Sequence, residues 1–169
     1  MAIFAVFWNN IPIYLESQFS FDQFSIGLFS LAGVFGALVA MFSNKILKLF
    51  NVSNTLLFLL LLAMFLLMAF YSSCLVILAL LTLALDGLLQ LIHVNNQVTM
   101  YRTCSGNESR AASCYMTSFV LGGAIGSKLS TYFYLGYGWA GVSMFCIFLC
   151  IMGSILRAKK VTAARTEYV

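Results

Sequence analysis

Charge is what this chain has least of. Of 169 residues, 8% are charged, five of them Asp or Glu and nine Lys or Arg. A soluble domain carries about a quarter, so this sequence cannot dress an ordinary water-facing surface. Proline occurs once, as Pro12, and histidine once, as His93. The five cysteines (Cys74, Cys104, Cys114, Cys146 and Cys150) form no CxxC pair, and His93 is at ligand spacing from none of them. That argues against a zinc site and against a disulfide framework. Cys146 and Cys150, one helical turn apart in an apolar run, read as small hydrophobes. The net charge of +4 comes without a basic stripe or interleaved aromatics, so nucleic acid is not an expected partner. No cofactor and no metal are expected.

What the chain has is apolar surface: 62% hydrophobic residues, 16 of them phenylalanine. A soluble core has no room for so much, so the solvent is lipid. Crossing the hydrocarbon takes about 20 apolar residues per helix. The hydrophobic runs predict spans at 25–42, 54–70, 75–98, 112–134 and 138–156. A shorter run at 2–14 has no basic leader region or small-residue cleavage site. It reads as a helix whose first turns are missing. The expected fold is an all-α membrane protein of six transmembrane helices over residues 1–156, the first one truncated, followed by a disordered basic tail at 157–169.

The basic residues order these spans. Lys45 and Lys48 fall in one connection, Arg102 and Arg110 in a second, and Arg157, Lys159, Lys160 and Arg165 in the tail. These eight of the nine basic residues lie on alternate connections, hence on one side. The positive-inside rule makes that side cytoplasmic and puts both termini there. Lys128 is the exception. It lies inside a span, roughly 9 Å from its outer end at 1.5 Å per residue. It either snorkels to the interface or pairs with an acid in the membrane.

That acid is Asp86, the one carboxylate in the run 75–98. An ionisable group at such depth lines a cavity, finds a partner or handles a proton. Thr82, Gln90, His93 and Gln97 share its helix face within an arc of roughly 80°. A polar stripe on an otherwise apolar helix predicts a lined pathway. Gly36 with Ala32 and Ala40, and Gly122 and Gly126 with Ser118 and Ser130, repeat every four residues and predict close helix packing. The runs at 56–68 and around Phe145–Ile151 have no such stripe and are expected to face lipid. Asn9 and Asn10 stand beside Trp8 and Pro12. They belong either to a bent helix lining a pathway or to the interfacial end of a span.

Three stretches carry a resemblance. The first is Phe7-Trp8 with Ile26-Gly27-Leu28-Phe29 and Ala32-Gly33-Val34-Phe35-Gly36-Ala37. The second is Leu85-Asp86, Gln90, His93-Val94, Asn96-Gln97 and Tyr101. The third is Arg110, Tyr115-Met116-Thr117-Ser118, Leu121-Gly122-Gly123-Ala124-Ile125-Gly126-Ser127 and Gly138-Trp139. Together they resemble the C-terminal half of a major facilitator superfamily transporter of the bacterial drug/proton-antiporter-like kind. The resemblance implies a twelve-helix fold in two six-helix halves, with substrate bound between them. It implies a missing N-terminal half as partner and the bacterial inner membrane as location. Asn44 stands where such relatives often carry an acid, Glu108 where they often carry Arg, and Lys128 where a small residue is usual.

The function that follows is transport of a small molecule, as proton-coupled efflux. Asp86 would take the proton or recognise a cation, His93 would relay or bind, and Gln90, Gln97 and Thr82 would line the wall. Arg110 would serve as a cytoplasmic gate or as a plain positive-inside anchor. A second expectation is a non-transporting fragment or assembly partner left from a truncated transporter gene. A third, an intramembrane serine protease, lacks support: no GxSxG or GxSG string occurs, and Ser118, Ser127 and Ser130 all follow the single His.

Overall fold

The computed structural model describes residues 1–50, 54–104 and 106–166. The side chains of Lys48, Phe50, Asn54 and residues 157–166, and all of 51–53, 105 and 167–169, lie outside the described set. So, therefore, does the expected placing of the basic tail side chains. The described residues are helical almost throughout: α1 Ala2–Phe19, α2 Gln23–Ser30, α3 Ala32–Phe50, α4 Asn54–Tyr71, α5 Leu75–Thr103 and α6 Glu108–Thr166. In lipid no water can bond the backbone, and a helix satisfies its own N–H and C=O groups. By length and composition, Gln23–Leu47, Leu75–Thr103 and Glu108–Leu156 can each reach across a bilayer.

Several expected boundaries are corrected. The first helix does not stop at Tyr14 but runs 18 residues to Phe19. Hydropathy falls at Glu16-Ser17-Gln18, yet helix hydrogen bonding does not need apolar side chains. It ends where Ser20 turns left-handed (φ 52°) and its N–H bonds back to the Glu16 carbonyl at 3.0 Å. Asp22 then caps α2, its carboxylate accepting from the Ser25 N–H at 3.0 Å. Hydrogen bonds from Ser25, side chain and then backbone, hold the Asp22 carboxyl below the usual carboxylate range. The expected span at 25–42 is two helical pieces joined at Leu31 by a tighter turn, with Leu31 and Val34 each bonding three residues back.

The last two expected helices are one element. α6 has 59 residues and bends at Gly138 (φ 60°, ψ −148°), a conformation open to glycine. The six expected spans are therefore not what is seen: Gln23–Ser30 and Ala32–Phe50 divide one of them, and α6 holds two. No proline breaks the run, and helical bonding carries through Gly136 up to the bend. The bend is sharp: Phe133 and Phe145 stack with centroids 4.8 Å apart, where a straight helix would separate them by about 18 Å. The expected disordered tail is also corrected. α6 continues to Thr166, through Ala, Lys and Arg, which favour helix.

The packing forms a sequence of neighbours. α1 lies on α6, α6 on α4, α4 on α5, and α5 on α3. The core is drawn from one stripe of each: Val6, Phe7, Ile11 and Leu15 on α1, and Leu57, Leu61, Phe65 and Met68 on α4. Leu78, Leu85, Leu91 and Ile92 on α5, Trp139, Val142, Cys146 and Cys150 on α6, and Tyr14 on α1 join it. Thus α4 and the second arm of α6 are one-sided. Leu59, Leu66, Phe70, Phe148 and Ile151 remain exposed on their outer faces, as lipid contact requires. With lipid outside as apolar as the core, close packing holds the helices, and small residues set how close they come. A Cβ added at Gly126 would lie 2.9 Å from the Cα of Ala2, whereas one at Gly122 would lie 4.0 Å from the nearest atom.

Opposite outcomes follow for two neighbouring glycines. Gly126→Ala forces α1 from α6 and should cost about 1–3 kcal/mol. Gly122→Ala should be neutral or add up to about 1 kcal/mol of helix propensity. Thermal melting of the purified protein in detergent distinguishes them.

Candidate functional site

Asp86 sits on α5 with 1% of its surface exposed. One oxygen, Oδ1, accepts a hydrogen bond from the Trp8 indole Nε1 of α1 at 3.2 Å. The other, Oδ2, has no hydrogen-bond partner among the described residues. It lies against Gly36 of α3, where any Cβ would overlap the carboxylate. The glycine is what admits the carboxylate, and the same absence of side chain brings α3 and α5 together. One residue along, Gly87 repeats the arrangement towards Val39 and Phe35. The indole of Trp8 packs on a third glycine, Gly33, with ring atoms 3.5 and 3.7 Å from where its Cβ would be. Three helices therefore converge on one carboxylate. Lys128 is exposed on α6, and no ion pair joins it to Asp86 among the described residues.

The expected polar stripe divides. Thr82 is buried and spends its hydroxyl on the Leu78 carbonyl of its own helix at 2.8 Å. Gln90 and His93 line a cavity of about 180 Å³ between α1, α4, α5 and α6, while Asp86, Thr82 and Gln97 do not. Gln90 also reaches the Asp86 site: its Cγ would stand 3.1 Å from a Cβ at Gly36. It therefore touches both the carboxylate's surroundings and the cavity. His93 Nδ1 lies 3.0 Å from the Tyr115 hydroxyl of α6, and its ring packs on Phe119 at 4.6 Å between centroids. If Tyr115 donates, Nε2 carries the ring proton; if it accepts, Nδ1 does.

The adjacent asparagines separate. Asn9 Nδ2 donates to Ser127 Oγ of α6 at 2.6 Å. Asn10 turns inward and donates to the Val6 carbonyl at 2.7 Å, leaving its Oδ1 buried without a partner among the described residues. Both therefore serve a helix in the bundle, with Pro12 inside α1. Arg110 is exposed in the first turn of α6. Of the packing glycines, Gly36 and Gly126 make the tight approaches and Gly122 a looser one.

Sequence reasoning missed Trp8 as the donor to Asp86, and Asn96, Tyr115 and Phe119 as cavity residues. A signal existed. Phe4 with Trp8 and Tyr115 with Phe119 are i, i+4 pairs, which share a helix face. Which neighbour that face meets is not a one-dimensional property.

A buried acid gripped between helices of a polytopic bundle defines a membrane protein built around an intramembrane ionisable site. The chain matches the Major Facilitator Superfamily over residues 1–167; it belongs to that family and is a multi-pass membrane protein. Among curated proteins, it is 40% identical over 62 residues to the uncharacterized transporter YgaY of Escherichia coli O157:H7, and equally to the YgaY of strain K12. The aligned part is 37% of this chain and 16% of the relative's length. No solved structure gives a significant match.

The carboxylate and the glycine should be energetically linked. Gly36→Ala is expected to lower the melting temperature of the protein, and its penalty should shrink by about 1 kcal/mol or more in an Asp86→Ala background. An equal penalty in both backgrounds would show that the carboxylate is not what the added methyl meets.

Proposed function

We propose that this chain is the C-terminal half of a secondary transporter that moves a small molecule across the bacterial inner membrane, as proton-coupled efflux. The observation that carries the reading is Asp86. It is a 1% exposed carboxylate with one oxygen on an indole N–H and the other, against a glycine, unpartnered among the described residues. A charge left so in a low-dielectric interior is costly. A proton at Oδ2 offsets that cost.

The remaining roles follow from position. Gln90 and His93 present an amide and an imidazole to the cavity, where substrate would meet them. Gln97 and Thr82 extend the same helix face, and Asn9 and Asn10 stand on α1 beside it. Arg110 would act at the cytoplasmic gate. In this reading the two arms of α6 cross separately. A straight helix of 59 residues would run about 89 Å, roughly three times the hydrocarbon thickness. The opposite wall of the pathway comes from a companion half, as halves meet around a mid-membrane site in such carriers.

Two measurements test this. With both termini cytoplasmic, Cys74 before α5 faces outside and Cys104 after it faces inside. An impermeant maleimide should label single-cysteine Cys74 in intact cells and single-cysteine Cys104 only after permeabilisation; the reverse pattern inverts the topology. In the complete transporter, at matched surface expression, Asp86→Asn should lower proton movement in everted vesicles at least tenfold. Unchanged transport with an unchanged pH profile would sink the coupling role.

A further inference from the structure

We infer that the cavity between α1, α4, α5 and α6 binds a neutral, planar, single-ring aromatic molecule bearing a hydrogen-bonding substituent. The inference deepens the transport reading, on which it rests, by naming a substrate class. Size is the first argument. The cavity holds about 180 Å³, and an apolar protein cavity of about 150 Å³ accepts benzene. One ring with a short substituent fills it.

Wall chemistry is the second argument. Phe4, Phe58 and Phe119 supply aromatic surface from three different helices, and Leu61, Leu89 and Ile92 supply aliphatic surface. Rings on several sides favour a flat guest that can meet them stacked or edge-on. Charge is the third. None of the lining side chains is Asp, Glu, Lys or Arg. The one charge at the wall is the Met1 α-ammonium; a cationic guest would be repelled there and any charged guest would lose its hydration, a cost that a neutral guest avoids.

Polarity inside the cavity supplies the fourth. Gln90, His93 and Asn96 share α5 and all line the cavity. The Gln90 amide forms no hydrogen bond among the described residues, so it offers both a donor and an acceptor to a guest. His93 is held at Nδ1 by Tyr115, which fixes its ring. The polar groups lie along one helix and the rings largely on the others. A guest with an apolar ring at one end and an amide or hydroxyl at the other matches that division.

Benzamide is the probe, with benzoate as its charged isostere and cyclohexanecarboxamide as its non-planar counterpart. Phe4 lines the cavity and lies 6.2 Å from the Trp8 ring, so indole fluorescence of the full chain in detergent reports occupancy. Benzamide should saturate with a Kd on the order of 0.1–1 mM, as suits so small a ligand. Benzoate and cyclohexanecarboxamide should bind at least tenfold more weakly. Leu89→Phe, which fills the cavity, should abolish binding. Gln90→Leu, which roughly keeps the volume, should weaken it at least fivefold and reads the same site if Leu89→Phe does not fold. Equal affinity for benzoate, or undiminished binding in both variants, overturns the inference. Benzamide binding without benzamide-driven proton movement in vesicles of the complete transporter upholds the site and sinks the proton-coupled reading. Proton movement without benzamide binding does the opposite.

Discussion

Everything in this bundle is arranged around a carboxylate resting on bare backbone. Asp86 Oδ2 occupies the space that a side chain at Gly36 would fill. That contact fixes the distance between α3 and α5, because neither helix can slide without driving the carboxylate into a bulkier neighbour. Trp8 closes the third side, and its indole lies on Gly33 of the same α3. Once α1 is held there, its opposite face is free to pack on α6, through Gly126 against Ala2, Asn9 on Ser127, and Tyr14 stacked on Trp139 at 4.3 Å. The order of helix neighbours follows from one polar cluster and three glycines.

The other polar side chains show why that cluster stands apart. Thr82, Thr117, Ser118 and Ser154 each donate to a carbonyl one turn back in their own helix, at 2.8 Å in every case. Such bonds let a hydroxyl enter lipid without a partner on another helix. A carboxylate has no equivalent: as an acceptor it needs a donor, and helix N–H groups are already used. Of the buried polar atoms, Asn10 Oδ1, Asp86 Oδ2 and Trp139 Nε1 lack partners among the described residues. Only the second belongs to an ionisable group, which makes it the atom where a change of charge state would be felt across three helices.

Much of this was readable in one dimension, and the failures have physical causes. Apolar length predicted helices in lipid, because hydropathy and backbone satisfaction point the same way. The 3.6-residue period identified Asp86 as exceptional and marked Gly36 and Gly126 as close-packing positions. Boundaries were misjudged where polarity and helicity diverge, as at Glu16–Phe19 and beyond Arg157. The count of helices differs at Gly138, where one residue leaves helical φ/ψ and the two arms of α6 continue on either side of it. The polar stripe was read as one wall because five residues share an arc. In three dimensions α3 covers the middle of that arc, so Asp86 is sealed while Gln90 and His93 look into a cavity. Trp8 was invisible as a partner because it lies 78 residues away in sequence.

Gln90 joins the two halves of the site. It stands within a turn of Asp86, contributes to the Gly36 contact and lines the cavity. On the proposed reading, a guest that draws its amide into the cavity would alter what the carboxylate meets on that side, and a proton on the carboxylate would alter what the amide can bond to. Linkage makes this reciprocal: whatever free energy the guest adds to proton binding, the proton adds to guest binding. Coupling a neutral substrate to a proton then needs no charge on the substrate and no direct contact between the two. It needs a shared side chain and a carboxylate with one acceptor unspent. The Trp8 bond has a part in this, because an indole N–H can hold the carboxyl group in place in either charge state. On the proposed proton-coupled reading, the proton would come and go at Oδ2 while Oδ1 stays anchored, and the three helices would keep their register through the change.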